Sequence, residues 1–322
     1  MKKYVFILFT LLMSLKVYSQ EQLDYAIVIH GGSGNISPES ISPERASGIE
    51  TKLSEALEKG SSILESGGKS LDAVEAVIRI LEDSPLFNAG KGAVFNHAGK
   101  NELDASIMDG KTLNAGGVTG VGDIKNPISA ARVVMEKSPH VLMMGAGASA
   151  FAAENGIELV DSGYFFTKKR WKNLQKQLKE GEVEKYGTVG CVALDKEGNL
   201  AAGTSTGGMT NKKYGRIGDS PIVGAGNYAN NESCAVSGTG HGEYFMRLLV
   251  GHDISALMQY KGLTVEQAAQ EVVHRKLKPA GGNGGVICVD KSGNIAMEFN
   301  TTGMLRAWAN SKGETGIKIF ED

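Results

Sequence analysis

GTVGCVAL at residues 187–194, the turn DKEGN at 195–199 and the run LAAGTST at 200–206 form the stretch on which the fold reading rests. Residues 167–186 before it are dense in Lys, Arg, Glu and Gln, and at Thr188 the chain becomes apolar in a single step. A near-continuous apolar run bounded by turn residues reads as a buried strand, and 200–206 returns beside it as the second arm of a hairpin. The pattern recurs at 286–289, 290–294 and 295 onward, leading to Thr301 and Thr302. It is an internal echo and not a solenoid repeat.

Working outward, Tyr25 to His30 is a short apolar strand that stops at Gly31, Gly32, Ser33 and Gly34. Apolar positions recur at helical spacing over 43–83, with Ser70 as an expected N-cap and Leu71, Val74, Val77, Ile78 and Leu81 on one face. Residues 103–108 and 115–121 read as strands, and Ala130 to Met135 as helix. Thr264 and Gln267 form a capping box for a helix carrying Val265, Ala268, Ala269, Val272 and Val273. Strands at both ends therefore enclose helices. The polar stretch 167–186 reads as an exposed linker. Its cations Lys168, Lys169, Arg170 and Lys172 are offset by Glu180, Glu182 and Glu184, as on a solvated helix.

The composition bounds the function. At 322 residues, 41% hydrophobic and 22% charged, the chain is globular. Its 34 basic and 36 acidic residues nearly cancel, which excludes nucleic acid as a partner. Lys2 and Lys3, an apolar run over 4–15 and a small-residue cut site at Val17, Tyr18 and Ser19 form a secretory signal peptide over 1–19. The run is too short for a membrane span and Lys16 interrupts it. The mature chain is thus expected to be exported, periplasmic and free of the membrane. Cys191, Cys234 and Cys288 lie in apolar stretches and read as buried structural thiols.

A threonine that opens a strand after a polar linker and a glycine has a chemical use. At a chain terminus it carries its own base, since an α-amino group titrates near ~7.7–8 and takes the hydroxyl proton directly or through one water. That amine exists only after the preceding bond is cut. Thr188 Oγ attacking the Gly187 carbonyl gives an ester that water hydrolyses, and Gly187 lets the backbone bend into attack. Thr206, at the end of the returning arm, is placed to orient Thr188. Arg216 and Asp219 stand three apart in GRIGDSP at 215–221 and suit an amino acid's carboxylate and ammonium, although on spacing alone an ion pair within the loop is the favoured reading. SGTGHGE at 237–243 reads as a strand-to-helix junction, with the helix starting near Tyr244. There the Thr239 hydroxyl and the Gly240 N–H would stabilise an oxyanion.

On these blocks, TVG, TSTGG, GRIGDSP and TGHGE, together with HGG at 30–32 and PLFNAG at 85–90, the chain resembles the plant-type asparaginase and isoaspartyl peptidase family of N-terminal nucleophile hydrolases. The likeness covers almost the whole mature chain. It implies an α+β fold, a four-layer αββα sandwich, built as one domain from residues 20–187 and 188–322. Autocleavage at Gly187 and Thr188 would give two fragments that stay together as an (αβ)2 heterotetramer. It implies Thr188 as nucleophile, Thr206 as its hydroxyl partner and Asn88 in support. Arg216, Asp219 and Gly242 would hold substrate, and Thr239 with Gly240 would form the oxyanion hole. No cofactor enters catalysis. A structural sodium would sit on the carbonyls of Leu81, Glu82, Ser84, Phe87, Ala89 and Lys91, where Lys91 departs from the family's usual apolar residue. The implied reaction is hydrolysis of the side-chain amide of asparagine and of isoaspartyl dipeptides.

Other readings make different demands. A glycosylasparaginase would share the nucleophile and clamp but must admit a sugar. A periplasmic amino-acid-binding protein would use Arg216 and Asp219 without turnover. The G-x-S-x-G at 203–207 lacks the helix a serine nucleophile requires. Gly145, Gly147 and Asp161 only loosely match a dinucleotide site. His241 and Glu243 begin a zinc deaminase motif with no P-C-x-x-C after it.

Overall fold

A computed structural model describes residues 23–180 and 187–321. The expected leader at 1–19, and Glu182 and Glu184 of the linker, lie outside them. The chain opens with β1 (Ala26–Gly34) and helices α1 (Pro43–Glu65) and α2 (Ser70–Glu82). Then come β2 (Leu103–Asp109), β3 (Ala115–Val121), α3 (Pro127–Lys137), the short β4 (Leu142–Met144), α4 (Gly145–Glu154) and α5 (Lys168–Glu180). After Thr188 follow β5 (Val189–Leu194), β6 (Leu200–Thr206), β7 (Asn227–Ala229) and β8 (Cys234–Gly240). Helices α6 (Gly242–Leu248), α7 (Val250–Lys261) and α8 (Val265–Gln270) lead to β9 (Gly284–Asp290), β10 (Ile295–Phe299), β11 (Gly303–Asn310) and β12 (Thr315–Lys318). The fold is of the α+β class.

Among the described residues the strands form two sheets. The larger runs β12-β11-β1-β5-β6-β2-β3-β4 and the smaller β10-β9-β8-β7. Successive side chains on a strand point to opposite faces, and here each face meets a different core. Ile27 and Ile29 of β1, Cys191 and Ala193 of β5, and Ala105 and Ile107 of β2 pack with Leu53, Val74, Ile78 and Ile128 from α1, α2 and α3. The intervening residues Val28, Val192, Ala202 and Met108 share a cluster with Ala235, Ile287 and Val289 of the smaller sheet. Val236, Val286 and Cys288 turn the other way, onto Ile254, Val265 and Ala269 of α7 and α8. Each buried Leu, Ile or Val contributes about 1.5–3 kcal/mol.

The hairpin expected at 188–206 is present, with Leu194 opposite Leu200 and Val189 opposite Ser205. One more step back brings Thr188 alongside Thr206. The turn is held by Asp195, whose Oδ1 accepts the N–H groups of Glu197 (3.1 Å) and Asn199 (2.9 Å).

Two expectations are corrected. Ser70 is the first residue of α2 and not its cap; the helix N-terminus is served instead by Asp195, whose Oδ2 accepts the Ser70 N–H at 3.0 Å. A carboxylate there also complements the helix dipole, which a serine hydroxyl does less strongly. Residues 168–180 form the helix the charge pattern suggested, but it is docked and not merely solvated. Leu174 and Gln177 are buried, Trp171 meets Phe95 edge-on at 5.3 Å, and Arg170 Nε donates to the Gly92 carbonyl at 2.8 Å. The capping box of Thr264 and Gln267 is formed, and the three cysteines are buried and free.

Candidate active site

Thr188 lies just before β5, buried between the ends of β1 and β6. Its hydroxyl donates to Thr206 Oγ1 at 3.1 Å. Thr206 Oγ1 also accepts the Gly208 N–H at 3.0 Å and lies 3.4 Å from the Gly187 carbonyl. An N–H only donates and a carbonyl only accepts, so the proton directions are fixed: Thr188 gives to Thr206, and Thr206 gives to the Gly187 oxygen. That relay draws on the Thr188 hydroxyl proton while polarising the carbonyl before it. The approach is close, since a Cβ on Gly32 (φ +113°) would lie 2.8 Å from Gly187 Cα. Only glycine suits that position.

Asn88 acts through the adjoining turn. Its Nδ2 donates to the Gly208 carbonyl (2.8 Å), its Oδ1 accepts from Val94 N–H (2.9 Å), and its own carbonyl accepts from Gly207 N–H (3.0 Å). Both side-chain atoms are committed to backbone, so Asn88 positions the turn that donates to Thr206.

Thr188, Thr206, Arg216, Asp219 and Gly240 line one small cleft together with Gly187 and Gly208. The ion pair within the 215–221 loop is not formed. Arg216 instead makes a two-pronged pair with Glu243 of α6, Nε to Oε1 at 2.8 Å and Nη2 to Oε2 at 3.0 Å. The guanidinium holds the Glu243 carboxyl below its usual range. Asp219 is buried and its Oδ2 has no hydrogen-bond partner among the described residues. Burial pushes its carboxyl up to about 7, against the pull of Arg216. An unpartnered buried carboxylate lining the same cleft as Thr188 is a ready acceptor for an ammonium. Gly242 makes room for both groups, because a Cβ there would sit 2.8 Å from Arg216 Nη2 and 2.9 Å from Asp219 Oδ1.

The expected strand-to-helix junction is present, with the helix starting two residues before Tyr244. β8 runs through Thr239 to Gly240, paired with Gly285 and Gly284 of β9, and α6 begins at Gly242. Thr239 is therefore a strand residue whose hydroxyl accepts the Ser33 N–H at 3.3 Å, leaving its own proton to donate.

Sequence reasoning passed over His30 as a site residue. Fully buried on β1, its ring bridges the Thr188 carbonyl (Nδ1, 3.2 Å) and Ser237 Oγ (Nε2, 3.0 Å), and Ser237 Oγ lies 2.7 Å from Thr204 Oγ1. The carbonyl requires the proton on Nδ1, so Nε2 accepts from Ser237. Burial lowers the imidazole to about 3, opposed by the bond to Thr188, so the ring is neutral. The available signal was a histidine inside an otherwise apolar strand.

With this geometry in place, comparison with known proteins is decisive. Residues 23–319 match the asparaginase family. The chain belongs to that family. It is similar to an isoaspartyl peptidase of Escherichia coli (52% identical, covering 90% of this chain and 95% of that protein). It is also similar to a putative isoaspartyl peptidase/L-asparaginase of Dictyostelium discoideum (47%; 88% and 92%) and to an isoaspartyl peptidase/L-asparaginase of Rattus norvegicus (41%; 92% and 89%).

Other motifs in this member of the asparaginase family are occupied structurally. Ser205 of the G-x-S-x-G is buried on the helix-facing side of β6, and its hydroxyl donates to Glu82 at 2.6 Å. Burial raises that Glu82 carboxyl to about 8. Asp161 accepts from Gly163 N–H in a local turn. His241 Nδ1 accepts from Asn283 N–H, and Glu243 holds Arg216.

The loop after α2 gathers carbonyls. A Cβ on Gly90 would lie 2.3 Å from the Glu82 oxygen, and one on Gly92 only 2.0 Å from the Phe87 oxygen. The Ala89 carbonyl accepts the Gly92 N–H (3.1 Å), and the Leu81 carbonyl accepts the Ser84 N–H (3.2 Å). Crowded carbonyls suit a hard cation. Lys91 directs its ammonium over the Tyr164 ring, 5.3 Å from the centroid.

Proposed function

We propose that this chain is an autoprocessing threonine amidohydrolase that hydrolyses the side-chain amide of L-asparagine and the isoaspartyl bond of β-aspartyl dipeptides. The observation that carries the reading is the Thr188 hydroxyl 3.1 Å from Thr206 in the cleft that also holds Arg216 and Asp219. The names of its asparaginase-family relatives support the substrate class.

In maturation, Thr188 Oγ attacks the Gly187 carbonyl carbon, the C–N bond breaks, and water hydrolyses the resulting ester. Gly187 leaves as a carboxylate and Thr188 gains a free amine. In turnover that amine takes the Thr188 hydroxyl proton. Oγ attacks the β-carbonyl of a substrate whose α-carboxylate sits on Arg216 and whose ammonium sits on Asp219. Thr239 and Gly240 stabilise the tetrahedral oxyanion, an interaction worth ~2.7–4 kcal/mol per donor. Ammonia or an amino acid departs, leaving a β-aspartyl ester on Thr188, and water then releases aspartate.

On this reading the two sheets and their helices are the four-layer αββα sandwich of N-terminal nucleophile hydrolases. Residues 20–187 and 188–322 are fragments of one domain, assembled as an (αβ)2 heterotetramer. The carbonyls of Leu81, Glu82, Ser84, Phe87, Ala89 and Lys91 would hold a structural sodium ion that braces the loop carrying Asn88. The leader at 1–19 supports export to the periplasm.

The test is the intact mass of mature protein held at neutral pH, followed by assays on a β-aspartyl dipeptide, L-asparagine and a glycosylated asparagine. Two fragments meeting at 187/188, with turnover of the first two substrates, are expected. An uncut chain that binds aspartate without turnover would establish the binding-protein reading instead. Preference for the glycosylated substrate would move the chain to glycosylasparaginase activity.

A further inference from the structure

Lys212 lies on the turn joining Thr206 to Arg216, yet its side chain is only 2% exposed. The ammonium donates to the Glu102 carbonyl at 2.9 Å and stands 3.8 Å from Glu102 Oε2 and 3.9 Å from Asp104 Oδ2. Asp104 is also buried. Its Oδ1 accepts from Thr119 Oγ1 (2.6 Å) and Gly120 N–H (2.9 Å), while its Oδ2 has no hydrogen-bond partner among the described residues, so the nearby Lys212 ammonium compensates it. A buried lysine is costly and is kept only where its charge or reach matters.

Both matter here. Asp104 sits opposite Thr206 in the β2–β6 register, so its side chain shares that strand face. Ser106, two residues on, faces the same way and donates to the Ser220 carbonyl, adjoining Asp219. The Lys212 ammonium also packs beneath Gly208, where an added Cβ would lie 3.1 Å from Nζ. Gly208 is the residue whose N–H donates to Thr206 and whose carbonyl Asn88 holds. The Lys212 carbonyl accepts from His97 N–H at 2.9 Å, which ties the far end of the same turn.

We propose that Lys212 is a positioning residue that braces the 207–212 turn against Thr206 and shields Asp219 from the negative charge of Asp104. The proposal rests on the reading of Asp219 as the ammonium site. The charged groups facing Asp219 are Arg216 of its own loop, Glu243 of α6 and Asp104 of β2. Arg216 is shared with Glu243, so with Lys212 removed the Asp104 carboxylate would act on Asp219 without the cation that stands beside it. Asp219 would hold its proton to higher pH and release an ammonium more readily.

The experiment is competitive inhibition of the mature enzyme by L-aspartate between pH 5 and 9, with thermal unfolding measured in parallel, on K212M, D104N and K212M/D104N. K212M should weaken L-aspartate about tenfold at pH 7 and move the midpoint of its binding upward by roughly one pH unit, with KM affected more than kcat. D104N should move the midpoint downward. The double variant removes both charges and should bring the midpoint back to within a few tenths of a unit of the wild type. A purely structural lysine predicts lower melting temperatures with the midpoint unmoved in every variant, and that result would overturn the proposal. Should K212M fail to accumulate, D104N and the double variant decide it. A wild-type enzyme that neither turns over β-aspartyl dipeptide nor binds aspartate would remove the functional reading itself.

Discussion

The hairpins β5–β6 and β9–β10 have the same turn and different ends. Asp195-Lys-Glu-Gly-Asn199 and Asp290-Lys-Ser-Gly-Asn294 both close with the Asp N–H donating to the Asn carbonyl at 3.0 Å. In both, the Asp Oδ1 accepts two N–H groups of its own turn and the glycine takes positive φ, +78° at Gly198 and +83° at Gly293. Moving back equally from each turn reaches Thr188 in one hairpin and Asn283 in the other; moving forward reaches Thr206 and Thr301. The first pair meets hydroxyl to hydroxyl in the cleft. In the second, the Asn283 backbone is bonded to His241 and Thr301 Oγ1 donates to the Gly303 carbonyl. The turn fixes register, and register decides only which residues meet. Chemistry enters with the identity of the ends.

Substitutions at matched positions test that contrast. Thr188→Ala should abolish cleavage and lower turnover by at least about a thousandfold, read by intact mass and dipeptide hydrolysis. Thr206→Val should slow both by about a hundredfold. Thr301→Ala removes one bond to a carbonyl and should leave activity within about twofold, with a loss near ~1 kcal/mol in denaturant unfolding. Substantial loss of cleavage in Thr301→Ala would break the distinction between the hairpins.

Asp219 sharpens it from another side. Asp195 is buried and satisfied by three N–H groups, whereas Asp219 Oδ2 has no partner among the described residues. With its folded-state value near 7 against an ordinary 3.8, Asp219 is ionised in the unfolded chain before it is in the folded one. Its contribution to stability therefore falls as pH rises from about 4 to 7 and stays unfavourable above that. Asp219→Asn should weaken L-aspartate by about a hundredfold yet raise the melting temperature at pH 8 more than at pH 5. Smaller still is the difference between the turns. Asp195→Ala should cost about 1 kcal/mol more than Asp290→Ala, because Asp195 also serves the N-terminus of α2, and equilibrium urea unfolding would measure it.

The asymmetry in what was legible has the same origin. Thr188, Thr206, Arg216, Asp219 and Gly240 stood out because each sits at a break in pattern, a strand end or a glycine-rich loop. They line one cleft. Residues inside regular strands were harder to read. His30 on β1 and Asp104 and Ser106 on β2 interrupt apolar runs that are buried on both faces, where polar side chains require partners. Those partners come from distant segments, so periodicity cannot name them. Glu243 was visible in its motif, but its bidentate hold on Arg216 depends on how α6 leaves β8. The docking of α5 was missed for a related reason: its charge density hid the buried face of Leu174 and Gln177.

The order of strands in the larger sheet has a consequence for the mature enzyme. β1 lies between β11 and β5, and β6 is paired with β2, so strands from before and after residue 187 are interleaved in one sheet. A precursor folds as a single molecule at a rate independent of dilution. If the 187–188 bond is cut as proposed, refolding requires two separate chains to find each other, and the melting temperature of fully unfolded material becomes concentration-dependent. Maturation would thus make folding a bimolecular event: a precursor denatured and diluted would recover, while the cut enzyme treated alike would recover in proportion to how often its halves collide.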